Sequence, residues 1–173
     1  YFVPAPSRHP VLASTGLLAD FNVSGAVTLA GSGLVSLSDN AGNRIVGGAG
    51  SRLINDATHT IAGSGQIGAN AIAITNAGLI VANQPTALVI DPNATGMINT
   101  GTLRAANGAT LFLTGNGGGG FDNTNGTIEA QAGSTVRLTS GALIVGGTLT
   151  TSGSGVVTTP SGGAVQDTAT LNG

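Results

Sequence analysis

Few residues of this 173-residue chain can act as acids, bases or metal ligands: Asp20, Asp39, Asp56, Asp91, Asp122, Glu129, Asp167, His9 and His59. Cleaving a polysaccharide by acid–base chemistry takes paired carboxyl groups, a base and aromatic platforms for the sugar rings. Here the carboxylates stand singly, Lys and Trp are absent, and the one Tyr is Tyr1. The run GGGGFDN at 117–123 has the outline of a calcium-binding Gly-Gly-x-Gly-x-Asp turn. Such a site is shared between consecutive turns, and this run occurs once, so it reads as a flexible loop insertion. His9 and His59 have no partner at a ligand spacing. Without Cys, neither a thiolate metal site nor a disulfide can form. No catalytic, cofactor-binding or metal-ligating residue is assigned, and no cofactor is expected.

The backbone pattern is far more regular than these groups are. Charged residues are 7% of the chain and aromatics 3%, against 40% hydrophobic residues and 30 glycines. Disordered chains lack that aliphatic content, so this one folds, and its length suffices for one domain with a core. The five basic residues are Arg8, Arg44, Arg52, Arg104 and Arg137, and a net charge of −2 supplies no field for nucleic acid. No apolar run reaches the roughly 20 residues of a membrane-spanning helix, so no membrane insertion is expected. The opening YFVPAPSRHP has no basic stretch leading into an apolar one, the layout of a signal peptide.

Helical periodicity is nearly absent. Period-two stretches such as AVTLA, LVSLS, TLRA, TLFLT and TVRLT alternate with Gly, Asn and Ser turns, the pattern of short strands. Val27, Leu53, Ile80, Leu103, Ile128 and Leu149 read as one inward series. Eight residues after each stands another aliphatic: Val35, Ile61, Leu88, Leu111, Val136 and Val157. Successive first strands lie 26, 27, 23, 25 and 21 residues apart, with insertions such as GNGGGG at 115–120 confined to the rest of each repeat. Three short strands per 21–27 residues predict an all-β fold, a single right-handed parallel β-helix of about six to seven coils. Each coil would stack roughly 4.8 Å above the last.

Residues 1–22, with Pro4, Pro6, Pro10 and a short helical stretch near STGLLADF, read as an N-terminal cap or lead-in segment. The β-helix is expected over 23–173. Leu171 falls 22 residues after Leu149, so ATLNG reads as the first strand of a seventh coil, with the β-helix truncated there.

Alternation then assigns faces. Leu103 and Ala105 point in and Arg104 out; one coil on, Ile128 and Ala130 point in and Glu129 out. Stacking sets Arg104 beside Glu129 as a cross-coil ion pair worth about 0–1 kcal/mol. Thr102, Thr127 and Thr148 form an outward column that Leu79 interrupts, and Thr114 and Thr139 begin another. Asn76 and Asn99 precede Gly78 and Gly101 at a corner, where stacked Asn side chains can bond along the rod. Val81, Val89 and Phe112 are outward apolar residues, expected to be covered by the variable part of the repeat.

The pattern N-x-G-x-[LI]-x-A, a small-residue turn, then [ST]-x-[LV]-x-L recurs as NAGLIVA…TALVI, NTGTLRA…ATLFLT and NGTIEA…STVRLT. Over roughly residues 24–159 it resembles the passenger repeats of bacterial autotransporters and filamentous-haemagglutinin-like exoproteins. The resemblance implies a secreted or bacterial cell-surface β-helix used as a stalk, adhesin or scaffold, with a host or surface glycan or protein as partner. The expectation is a non-catalytic extracellular structural or adhesive solenoid able to self-associate through its terminal coils. The alternatives on the same scaffold are a carbohydrate-active enzyme or glycan-binding module, and an ice-binding solenoid that would use the Thr column.

Overall fold

The computed structural model describes residues 10–161, 164–165 and 170–172. Strands of two to six residues bury one face but cannot enclose a core alone, so each pairs with its counterpart one coil away. Three parallel sheets result, of eight, seven and seven strands. Sheet A stacks Val11–Leu12, Leu34–Leu37, Thr60–Gly63, Leu79–Ala82, Thr102–Ala105, Thr127–Ala130, Thr148–Thr151 and Thr170–Asn172. Sheet B begins with Ala19–Val23 and Asn43–Gly47 and continues through Gly65–Ile67, Leu88–Ile90, Thr110–Thr114, Thr135–Thr139 and Val156–Ser161. Sheet C runs from Ala26–Leu29 through Arg52–Asn55, Ala73–Asn76, Met97–Asn99, Phe121–Asp122 and Leu143–Val145 to Ala164–Val165. The chain is a β-solenoid.

Its core is a set of aliphatic columns. Val35, Ile61, Ile80, Leu103, Ile128 and Leu149 stack in sheet A, each at most 1% exposed. Leu53, Ile74, Met97, Phe121 and Ile144 do the same in sheet C. Like stacks on like because parallel, in-register pairing puts the same coil position one strand spacing away.

The eight-residue spacing is made at two different corners, which corrects the single series read from the sequence. Val27 and Leu53 lie in sheet C, in register with Ile74, whereas Ile80 lies in sheet A between Ile61 and Leu103. Val27-to-Val35 and Leu53-to-Ile61 are C-to-A steps; Ile80-to-Leu88 and its successors are A-to-B steps. Two corners of similar turn length give one apparent period. Between them lies a compressed coil, in which Ser64 alone joins sheet A to sheet B and Ile80 follows Ile61 by 19 residues. Glycine makes that corner passable: a Cβ on Gly63 or Gly65 would strike the carbonyl oxygen of Leu37 or Asn43. Asp39 Oδ1 accepts from Thr86 N at 2.8 Å across this short corner, joining the coils on its two sides.

At the C-to-A corner Asn55, Asn76, Asn99 and Asn123 are all fully buried. They bond head to tail: the Nδ2 of Asn55 donates to Asn76 Oδ1, that of Asn76 to Asn99 and that of Asn99 to Asn123, each at 2.7 Å. The second amide proton turns to the backbone, as in Asn76 to the Gly78 carbonyl at 3.1 Å. His59 Nδ1 closes one end, 2.7 Å from Asn55 Oδ1. Since that oxygen can only accept, Nδ1 carries the proton. At the other end Asn123 donates to the carbonyls of Gly126 and Gly146. The Asn76–Asn99 contact follows from the Asn-x-Gly spacing. Asn55 and Asn123 escape that motif because their corners hold extra residues.

The described arginines also face a neighbouring coil. Arg104 Nε meets Glu129 Oε2 at 2.6 Å, as its register requires, and Arg44 grips Asp20 through two bonds of 2.7 and 2.6 Å. Arg52 donates to Thr75 Oγ1 at 2.9 Å, and Arg137 lies 5.2 Å from the centre of the Phe112 ring. Thr102, Thr127 and Thr148 form one column, with Leu79 between Thr102 and Thr60.

The rod begins within the segment read as a cap. Val11–Leu12 pairs with Ser36 and Leu37, and Ala19–Val23 pairs with Asn43–Gly47, where a short helix was expected. Phe21 and Val23 alternate inward, and the strand beside them supplies the partner that a short helix would lack. The rest of that segment, residues 1–9, lies outside the described residues. Thr170–Asn172 pairs with Thr148–Thr150, so the strand expected around Leu171 is present.

Replacing Asn99 by Ala strands the Asn76 amide donor and the Asn123 acceptor in a dry corner. We expect a loss of about 2–3 kcal/mol in denaturant unfolding, against less than about 1 kcal/mol for Arg104→Ala on the half-exposed surface. Burial also holds the His59 imidazole below its usual pKa. The unfolded chain therefore takes up this proton first, and stability present above about pH 6.5 is lost as pH falls. Urea midpoints should drop from about pH 7 to about pH 5, and His59→Gln should flatten that slope.

Candidate functional site

Most of the titratable residues are engaged structurally. Asp20 and Glu129 sit in cross-coil ion pairs, and Arg44 holds the Asp20 carboxyl below its usual range. Asp39, Asp56 and Asp122 accept backbone bonds from Thr86, Ala57 and Thr124 at 2.8, 2.8 and 3.0 Å. His59 ends the asparagine ladder. His9 and Asp167 lie outside the described residues. Asp91 differs from all of these. It is 8% exposed, and its Oδ1 is buried without a hydrogen-bond partner.

Parallel register builds the surroundings of Asp91. Ile90 is fully buried, so Asp91 and Val89 project from the outer face of sheet B. One outer column there runs Gln66, Val89, Phe112 and Arg137, and the next runs Gly68, Asp91, Thr114 and Thr139. Gly68 lets the chain pass close against the Asp91 backbone. Its φ of 98° and the closeness of the Asp91 carbonyl oxygen both exclude a Cβ there. Pro92 keeps Asp91 extended. The result is a cavity of about 320 Å³ lined by Gln66, Ala69, Val89, Asp91, Phe112, Thr114, Asn116 and Thr139.

The glycine-rich insertion supplies one wall. Rather than projecting as a flexible loop, Asn116–Gly118 forms a single 3-10 turn packed on the preceding coil. A Cβ on Gly117 would strike the Asn70 side chain, and one on Gly119 the Pro92 and Asn93 carbonyls. Glycine lets the insertion lie down and bring Asn116 to the cavity. Val89 and Phe112, expected to be covered by a variable segment, are half-buried beside it, and Val81 is buried.

Inside this cavity desolvation pushes the Asp91 carboxyl above its usual pKa. Asp91 is the one titratable residue of the lining. The nearest charges along the same outer columns are Arg44, held by Asp20, and Arg137, stacked on Phe112. Two other hollows are larger but carry no such group. One of about 480 Å³ on sheet C contains Asp122, whose Oδ1 is already bonded to Thr124. One of about 450 Å³ is walled by Thr, Asn and Gly between Thr124 and Thr148. Among the described residues no three His, Asp or Glu side chains converge on a metal position.

Fold and cavity together define a three-sheet parallel β-solenoid with a carboxylate-bearing pocket on one outer face. No protein-family model, curated protein or solved structure matches the chain. Among the described residues no helix is long and apolar enough to cross a membrane.

The pocket did have a sequence signal. Asp91, Thr114 and Thr139 each stand three residues after Leu88, Leu111 and Val136. The eight-residue step is sound in this part of the chain, so these three residues can be aligned from spacing.

A carboxylate that is costlier to ionise in the folded than in the unfolded state loses stability as pH rises through its folded pKa. The ligand-free Asp91→Asn protein should therefore have a higher Tm than the wild type at pH 7. The difference should shrink as the pH falls towards the ordinary carboxylate range, about 4, because the raised pKa costs stability only above it. Parallel thermal melts at the two pH values measure this.

Proposed function

We propose that this chain is a non-catalytic, extracellular β-solenoid that serves as the structural or adhesive rod of a bacterial surface protein. The observation carrying this reading is the continuity of the stack. One core runs along the described coils, a buried asparagine ladder ties four of them together, and Arg44 and Arg104 bind coil to coil. Such a body resists bending and proteolysis because no segment can open without breaking pairs on both sides. Its low charge and small outer side chains suit a surface that holds other groups apart. The resemblance of the repeat pattern to those of autotransporter passengers and haemagglutinin-like exoproteins is in keeping with the same placement. The cavity lining presents one carboxylate, where glycoside cleavage ordinarily uses two.

Antibody raised against the chain should label intact cells of the organism that makes it, and protease added outside should remove that labelling. Incubation with neutral and acidic polysaccharides should release no new reducing ends. Signal seen only after lysis would sink the extracellular reading, and polysaccharide cleavage would sink the non-catalytic one.

A further inference from the structure

We infer that the cavity on the outer face of sheet B is a binding site for a single sugar unit, with Asp91 accepting hydrogen bonds from its hydroxyls and Phe112 and Val89 packing on its C–H face. The inference names the ligand of the adhesive form of the proposed function; the scaffold form stands without it.

Three features lead to this class of ligand. The first is the carboxyl itself: Asp91 is 8% exposed and lines the open space, and since its Oδ1 is sealed from solvent, Oδ2 is the oxygen left to face that space. A desolvated carboxylate gains from a ligand O–H or N–H that reaches its open oxygen. The second is the mixture around it. Gln66 and Asn116 carry amides that both donate and accept, and Thr114 and Thr139 carry hydroxyls that do the same. The third is an apolar side, Val89 and Phe112, with the Phe112 ring steadied by the Arg137 guanidinium at 5.2 Å. A sugar ring matches all three, having hydroxyls that donate and accept along its rim and C–H groups on its face.

Other small ligands match less. A calcium ion takes six to eight oxygens and several carboxylates, and the lining offers one carboxylate beside an apolar wall. A primary ammonium would meet Asp91 but leave the amide N–H donors unanswered. A hydrocarbon would leave Asp91 orphaned. The size fits as well: about 320 Å³ lies at the small end of ligand sites, room for one ring rather than a chain. Asn116 of the packed insertion forms one wall of that space.

The test uses the whole 173-residue chain, isotope-labelled, and backbone amide shifts followed by NMR. The probes are methyl α-D-glucopyranoside, methyl α-D-galactopyranoside, methyl α-D-mannopyranoside, L-fucose and N-acetyl-D-glucosamine, each titrated into the millimolar range, with calcium chloride and n-butylammonium chloride alongside. At least one sugar should shift amides around Gln66, Asp91, Phe112 and Asn116 with saturation. Asp91→Asn should weaken it at least tenfold while the rest of the spectrum superimposes. Phe112→Leu, which keeps an apolar side chain, should weaken it severalfold and Thr148→Ala not at all. Response to none of the five sugars overturns the inference. So does a saturating response to calcium or butylammonium alone, or sugar binding that survives Asp91→Asn. Labelling of intact cells is unaffected by any of these results, so failure here and failure of the extracellular reading are distinguishable.

Discussion

The constraint on which everything else depends is that every coil must complete its hydrogen bonds and its core with the coil before and the coil after. In a parallel stack the partner of a residue is its own counterpart one turn away. Identical or matched residues therefore meet along columns. Aliphatics build the core, Thr meets Thr on the outside, and Arg meets an acceptor or a ring. Asparagine gains most from this rule, because its amide donates at one end and accepts at the other. A column of Asn55, Asn76, Asn99 and Asn123 is thus satisfied without water in a corner that is fully buried.

The same rule explains where the cavity can form. A column of like side chains leaves no space, so a pocket on a solenoid face needs a break in one. The break lies where Val89 meets Gln66 and Phe112 and Asp91 follows beside Thr114, and Asn116 of the insertion at 115–120 adds one wall. Asp91 then holds a carboxyl in a desolvated position with no partner on the protein. Elsewhere buried side chains are bonded, as the ladder and the Ser64 and Asn43 bonds to the Ser38 carbonyl show, while Asn83 Oδ1 and Arg137 Nε share with Asp91 Oδ1 the lack of a partner. Of these three residues only Asp91 lines the cavity.

Much of this architecture was legible in the chain. Period-two alternation, glycine-rich corners and a repeat of 21–27 residues lead to a parallel solenoid, because few other folds keep a period while insertions fall in one part of each turn. Arg104 beside Glu129, the Thr102–Thr127–Thr148 column and Asn76 beside Asn99 follow from that register alone. The phase of the first two coils was not legible. A turn of the same length sits at the C-to-A corner there and at the A-to-B corner later, and spacing cannot tell two corners apart. The strands at Val11–Leu12 and Ala19–Val23 were hidden because they precede the first counted repeat and are recognised by their partners, Ser36 with Leu37 and Asn43–Gly47, more than by their own residues.

The sequence by itself determined that the chain folds into stacked coils, and which residues meet wherever the count between corners stays constant, because in-register pairing turns spacing into contact. Only the tertiary structure decided which corner each turn occupies, how far the asparagine ladder runs and that the glycine-rich insertion lies down beside Asp91. These depend on whether neighbouring backbones can approach closely enough, at Gly63, Gly65, Gly117 and Gly119, for a side chain to be excluded. Closeness of approach is a property of two coils together. No single repeat contains it.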